Sequence, residues 1–226
     1  MILAAGRGSR LRPLTDRLPK ALVPVAGTPL IGHHIARLAA AGIRDLVINT
    51  SWLGKQIERR LGDGAAFGVR IQWSREPQPL ETGGGIRRAL PLLGPGPFAA
   101  VSADIWSDHA YSRLPRLLPP ATLAHLILVP NPPHNPDGDY GLDATGTVQP
   151  RAAGGASFTF SGIAVLTPEL VADFADGAVF PLRDALRGAI AAGAVSGELH
   201  TGEWSDLGTP ERLAALTRQL ARARTP

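Results

Sequence analysis

Apolar and polar positions along the first half of the chain alternate between two periods. Residues 44–49, centred on Leu46-Val47-Ile48, form an apolar run that predicts a buried strand, as do residues 69–73 and 98–102. Residues 29–41 read as a helix, opened by Pro29 and closed by Gly42. Leu53, Ile57 and Leu61 fall at i, i+4 and i+8 of a second helix that ends at Gly62, and residues 84–93 predict a third. The short apolar run of residues 1–5 predicts an opening strand. This alternation predicts an α/β fold: a mixed, mainly parallel sheet with helices on both faces. Ligands of such sheets gather at the carboxyl ends of the strands, where Gly6 and Asp104 fall.

The second half is less regular. Residues 123–129 predict a strand, followed by the loop Pro130-Asn131-Pro132-Pro133-His134-Asn135-Pro136-Asp137-Gly138. Short strands near Tyr140, Val148 and residues 158–165 suggest a small β insertion spanning about residues 123–165. Helices are expected at 168–174 and 181–192, a strand near 195–200 and a final helix from about Pro210. No repeat or linker divides the chain, so a single domain of 226 residues is expected.

Composition narrows the function classes. Hydrophobic residues make up 44% and charged residues 19%, the balance of an ordinary globular protein. The net charge of +4 is scattered, which suits anionic small molecules and gives no nucleic-acid footprint. No run reaches the length of a membrane span, and the absence of cysteine excludes disulfides and points to a reducing, cytoplasmic setting. Nothing in the sequence settles the oligomeric state.

The chemistry concentrates at the start. After the first strand, a loop carries Gly6 and Gly8, then Arg7, Arg10, Arg12 and Arg17, and reaches Lys20. Glycines let successive N–H groups converge on an anion, and fixed cations around the hollow suit a polyphosphate. Leu11 stands where a dinucleotide fingerprint needs its third glycine, and no Gly-Lys-Ser/Thr follows, so this is a phosphate loop of another kind. Asp104 follows an apolar strand and Asp206 precedes the last helix. Two carboxylates with phosphate oxygens and waters would suit Mg²⁺. Pro79-Leu80-Glu81-Thr82-Gly83-Gly84-Gly85 reads as a glycine loop at a helix mouth, able to approach a base or ribose closely. His33, His34 and His134 lack partners at metal-ligand spacing and read as structural.

The order of residues from Leu3 to Leu30, strand-LAAGxGxR-LxPLT-xxxPK-xLxPVxGxPL, resembles the signature of the sugar-1-phosphate nucleotidyltransferases. Trp204-Ser205-Asp206-Leu207-Gly208-Thr209 is similar to that family's W-x-D-x-G-T motif. Asp104 matches its strand-end aspartate, with Ala103 in place of glycine. The resemblance implies a Rossmann-like, GT-A-like nucleotidyltransferase domain and Mg²⁺ as cofactor, held by Asp104 and Asp206. It implies catalytic roles for Arg10, Lys20, Asp104 and Asp206. Nucleotide would meet Leu3, Ala4, Ala5, Gly6, Gly8, Arg10, Lys20, Glu81, Thr82, Gly83 and Gly84. Asp139, Gly141, Ser161 and Gly162 would meet the sugar. The wording at residues 80–85 and 159–163 is closest to the family's uridylyl branch, implying UTP and a sugar 1-phosphate, N-acetylmuramic acid 1-phosphate first among acceptors. Another acceptor or base, as in GDP-mannose synthesis, and a non-catalytic nucleotide-sugar sensor remain as alternatives. Many relatives carry Glu-Lys-Pro before the second sugar stretch; here Val148-Gln149-Pro150-Arg151 lacks that lysine.

Overall fold

The computed structural model describes residues 1–151 and 155–223. Residues 152–154, inside the expected insertion, lie outside the described residues. In chain order the strands are β1 (Ile2–Leu3), β2 (Pro24–Val25), β3 (Thr28–Pro29), β4 (Asp45–Thr50), β5 (Arg70–Arg75), β6 (Phe98–Ser102), β7 (Ile105–Ser107), β8 (Ala124–Val129), β9 (Tyr140–Leu142), β10 (Val148–Pro150), β11 (Thr159–Leu166), β12 (Val195–Leu199) and β13 (Trp204–Asp206). The helices are α1 (Leu30–Ala40), α2 (Gly54–Leu61), α3 (Glu81–Leu93), α4 (Glu169–Ala172), α5 (Leu182–Ala191) and α6 (Pro210–Ala223). They divide between two compact units, interleaved in sequence.

The first unit comprises residues 2–79, 102–112 and the chain from Glu203 onward. Its β1, β4 and β5 run parallel, with Ile2 opposite Ile48 and Val47 opposite Gln72. Every β4 residue after Asp45 is buried, the pattern of a parallel strand covered on both faces. Helix α1 buries Leu30, Ile31, Ile35 and Leu38, and α2 buries Ile57 and Leu61, at the spacing expected of amphipathic helices. Two short strands that periodicity does not reveal, β7 and β13, pair antiparallel in the same unit. Helix α6 packs beside them: Leu213, Leu216 and Leu220 join Val25, Leu30, Trp106 and Leu207 in one apolar cluster.

The second unit comprises Met1, residues 80–101 and residues 113–202. Its β11 is antiparallel to both β6 and β8, while β12 runs parallel to β8. Ile163, Ala164, Val165 and Leu166 are buried along β11. Strands β9 and β10 form the small hairpin expected of the insertion. Helix α3 starts at Glu81, three residues before the expected start, so the anticipated glycine loop is its opening turn. The reason is packing. A Cβ on Gly83 would come within 2.3 Å of the Phe180 ring, and one on Gly84 within 2.2 Å of the Ala178 carbonyl oxygen. The N–H groups of both glycines also bond to Phe180 O. Glycine's low helix propensity is overridden because no larger residue fits.

Two glycine substitutions should therefore act in opposite directions. Gly84→Ala should destabilise the protein by about 1–3 kcal/mol through overpacking. Gly188 lies in α5 with nothing near its missing Cβ, so Gly188→Ala should stabilise by up to about 1 kcal/mol. Urea midpoints would check both; a Gly84→Ala protein as stable as wild type would refute the packing argument.

Candidate active site

The basic loop leaves β1 and closes on itself through local bonds. Gly8 adopts φ +67°, a region that strains other residues, and its carbonyl accepts the Thr15 hydroxyl at 2.8 Å. The space in front of Gly6 is open. Helix α2 and the turn before it tie the far side of the loop down. Trp52 Nε1 donates to Thr15 O, Gln56 Nε2 donates to Arg17 O, and Arg7 stacks over the Trp52 ring at 4.3 Å. Arg7 is thus engaged with an aromatic face.

Lys20 lies at the end of this loop with its side chain only 10% exposed, and Nζ donates to Asp104 Oδ2 at 2.7 Å. The Asp104 carboxylate is 45% exposed. The backbone around it is fixed from several directions. Ala103 N–H bonds Leu3 O, and Leu207 N–H bonds Asp104 O at 2.8 Å. Ile105 stands opposite Asp206 in the β7–β13 pair, so two aspartates 102 positions apart are carried on neighbouring strand ends. Gly208 completes the group. A Cβ there would lie 3.0 Å from both the Arg10 guanidinium carbon and Asp206 Oδ2, so only glycine lets these two groups approach across it. Arg10, Lys20, Asp104 and Asp206, singled out separately in the sequence, all belong to the first unit.

The donor set fits a hard divalent ion. Both acidic residues offer oxygen alone, and no cluster of three or more His, Cys, Asp or Glu able to hold a metal occurs among the described residues. An ion that takes its remaining ligands from phosphate oxygens and water suits two carboxylates. The structure also shows partners that the sequence did not mark. Arg212, in the first turn of α6, forms an ion pair with Asp206 Oδ1. Buried Asn49 accepts the Ala4 N–H at 2.7 Å and donates to Glu76, so the Ala4 N–H is already engaged. Spacing gives no sign of either.

His34, read from the sequence as structural, is held in the core. It is completely buried on α1, and its Nε2 lies 2.8 Å from Ile105 O, one residue from Asp104. A carbonyl only accepts, so Nε2 carries the proton and Nδ1 receives the Tyr111 hydroxyl, also at 2.8 Å. Arg37 sits over the Tyr111 ring and donates to His109 O.

In the second unit, Glu81 holds φ +61°, a strained value for a residue with a side chain, at the start of α3. The Thr82 hydroxyl accepts Leu182 N–H at 2.8 Å. Asp139 accepts one hydrogen bond on each oxygen: Oδ2 from Phe160 N–H and Oδ1 from Asn135 Nδ2. Gly141 lies on β9 opposite Gln149. Ser161 and Gly162 occupy a bulge in β11, where Gly162 takes φ +83° and the buried Ser161 hydroxyl accepts Ile163 N–H. Gln149 stands where those relatives carry the lysine, and Arg151, two residues on, pairs with Asp137 at 3.4 Å.

Comparison with known proteins identifies the family. Residues 1–154 match the nucleotidyl transferase family. The chain belongs to the nucleotidyl transferase family. It is 51% identical to the N-acetylmuramate alpha-1-phosphate uridylyltransferase of Neisseria meningitidis over 94% of both chains. It is 37% identical to the enzyme of that name from Caulobacter vibrioides, over 99% of this chain and 97% of the other. A Bacillus anthracis protein, named as a candidate glucose-1-phosphate thymidylyltransferase and solved with sucrose, shares the fold. Its TM-score is 0.82 at 19% identity, over 100% of this chain and 94% of that one. The nucleotidyltransferase fold and enzyme class inferred from the sequence therefore stand. The family generally works with a divalent metal. No described helix is long and apolar enough to cross a membrane.

The buried imidazole gives a pH prediction. Burial pushes His34 down from 6.5 to about 4. The unfolded chain then takes up a proton near pH 6.5 that the folded chain refuses, so stability is complete above that value. It falls between pH 6.5 and 4, by roughly 3 kcal/mol from this group. His34→Gln should lose that share of the acid sensitivity in urea titrations at pH 7 and 4.5. An undiminished loss in the variant would contradict the assignment.

Proposed function

We propose that this chain transfers a uridylyl group from UTP to N-acetylmuramic acid 1-phosphate and releases pyrophosphate. The observation that carries the reading is the 51% identity with the Neisseria enzyme across 94% of each chain. It is supported by the placement of Arg10, Lys20, Asp104 and Asp206 in one unit. A nucleoside triphosphate substrate and a chain without cysteine favour a cytoplasmic enzyme.

In this reaction a phosphate oxygen of the sugar 1-phosphate attacks the α-phosphorus of UTP, and the bond to the β-phosphate oxygen breaks. The nucleophile is already anionic, so no side chain need remove a proton. Catalysis reduces to alignment and charge neutralisation. Lys20 has three donors and commits one to Asp104, leaving two for the α-phosphate and the incoming sugar phosphate. Arg10, whose guanidinium lies beside Gly208, meets the charge that grows on departing pyrophosphate. Asp104 and Asp206 would hold Mg²⁺, which supplies further neutralisation of the phosphates when bound. To the second unit we assign recognition: Glu81, Thr82, Gly83 and Gly84 for the base and ribose, and Asp139, Gly141, Ser161 and Gly162 for the sugar. Glu81 supports this, because strained backbone is retained where a side chain must be held in one direction.

The decisive test is pyrophosphate release with UTP, GTP, ATP and CTP crossed against the 1-phosphates of N-acetylmuramic acid, N-acetylglucosamine and mannose. UTP with N-acetylmuramic acid 1-phosphate should lead every other pair by at least about tenfold, because unpaired polar groups penalise the wrong base. Equal or faster turnover of GTP with mannose 1-phosphate would overturn the reading.

Separately, Asp104→Asn should lower kcat by about 10² or more while leaving the protein folded, since the lost carboxylate is half-exposed. Steady-state kinetics and a thermal melt would check it. Near-normal turnover would remove Asp104 from the reaction.

A further inference from the structure

Arg212 lies beside the site, yet no motif accounts for it. It is the third residue of α6, where the helix dipole opposes a cation by about 0.3–1 kcal/mol. An arginine in that place needs a local compensation, and the structure shows one: its Nη1 pairs with Asp206 Oδ1. The side chain is only 23% exposed, and its Nε and backbone N–H both point to Thr209 Oγ1 at 3.4 Å. The helix beneath it does not float. Leu213, Leu216 and Leu220 lock α6 against Val25, Leu30, Trp106 and Leu207, so the guanidinium works from a fixed base.

We propose that Arg212 is a positioning residue for Asp206. It grips Oδ1 and keeps the carboxylate in one orientation toward a divalent ion shared with Asp104. The inference rests on the reading that Asp104 and Asp206 hold the metal. A carboxylate on a short strand end rotates freely unless one oxygen is held, and an ion needing close octahedral geometry is weakly bound by a rotating ligand. Groups that orient a ligand carboxylate in this way typically change metal affinity by about 10- to 100-fold when removed. The opposite expectation also exists: a nearby guanidinium repels a divalent cation, so its removal would tighten binding. The two differ in sign, and one measurement separates them.

The experiment is a Mn²⁺ titration of the whole protein without nucleotide, read by electron paramagnetic resonance. It compares wild type, Arg212→Gln, Arg212→Lys and Asp206→Asn, with the half-activating Mg²⁺ concentration measured alongside. Arg212→Gln should raise the Mn²⁺ Kd by about 10- to 100-fold and raise the half-activating Mg²⁺ concentration in parallel. High Mg²⁺ should recover much of its kcat. Arg212→Lys, which keeps the charge but not the planar fork, should fall between wild type and Arg212→Gln. The metal-free melting temperature should move little, so a merely structural role would shift Tm and leave Mn²⁺ affinity alone. If Arg212→Gln binds Mn²⁺ as tightly as wild type, or more tightly, the positioning role is wrong while the metal reading stands. If wild type itself binds no Mn²⁺ and Asp206→Asn changes nothing, the metal reading fails first and this inference falls with it.

Discussion

A nearly buried ammonium held on a half-exposed carboxylate is the constraint around which the first unit is organised. Lys20 packs its stem beside Gly8 and reaches Asp104 with its ammonium, so it cannot swing into solvent without abandoning both contacts. Asp104 is what makes its position tolerable. For that pairing to exist, the loop after β1 must return to the end of the segment that carries Asp104. The Ala103–Leu3 and Leu207–Asp104 backbone bonds enforce this convergence. The conformation of Gly8 and the tethers from Trp52 and Gln56 keep the loop from relaxing away from it.

Glycine serves two different ends in this protein. Gly8 and Gly162 are backbone solutions, each taking a positive φ that turns the chain at a loop or a bulge. Gly83, Gly84 and Gly208 are spatial solutions, each leaving out a Cβ where another group already sits. At Gly208 the occupants are Arg10 and Asp206, so the missing side chain is what brings a cation and a carboxylate of the same site together. A residue type that reads in sequence as flexibility is here a requirement for close packing.

How much could be read from the sequence follows from how local each signal is. The stretches that carry Gly6, Gly8, Lys20, Asp104 and Asp206 stood out because each is short, charged and distinctive, and the alternation of periods in residues 29–102 was enough for the α/β class. The start of α3 was misplaced because three glycines speak locally for a loop, whereas contacts with Ala178 and Phe180, almost a hundred residues away, decide for a helix. Strands β7 and β13 were missed because three residues are too few to show a period, and their pairing joins segments far apart in the chain. The partners of His34, and any role for Asn49 and Arg212, were not legible for the same reason: each acts on a residue outside its own element.

Charge balance is the last constraint, and it joins these parts. Arg10, Lys20 and Arg212 stand with Asp104 and Asp206 in the first unit, three cations among two carboxylates. Each carboxylate has a cation on one oxygen, which offsets the repulsion between two neighbouring acids. The arrangement also keeps a surplus of positive charge, to which a polyphosphate is the natural complement. Under the proposed function, an incoming phosphate would recruit Lys20 without dissolving its ion pair, since the ammonium donates in three directions while Asp104 takes one. The same contacts hold Lys20 and Arg212 in place. Under the proposed function, these residues would be both a structural centre of the unit and the place where phosphate chemistry is carried out.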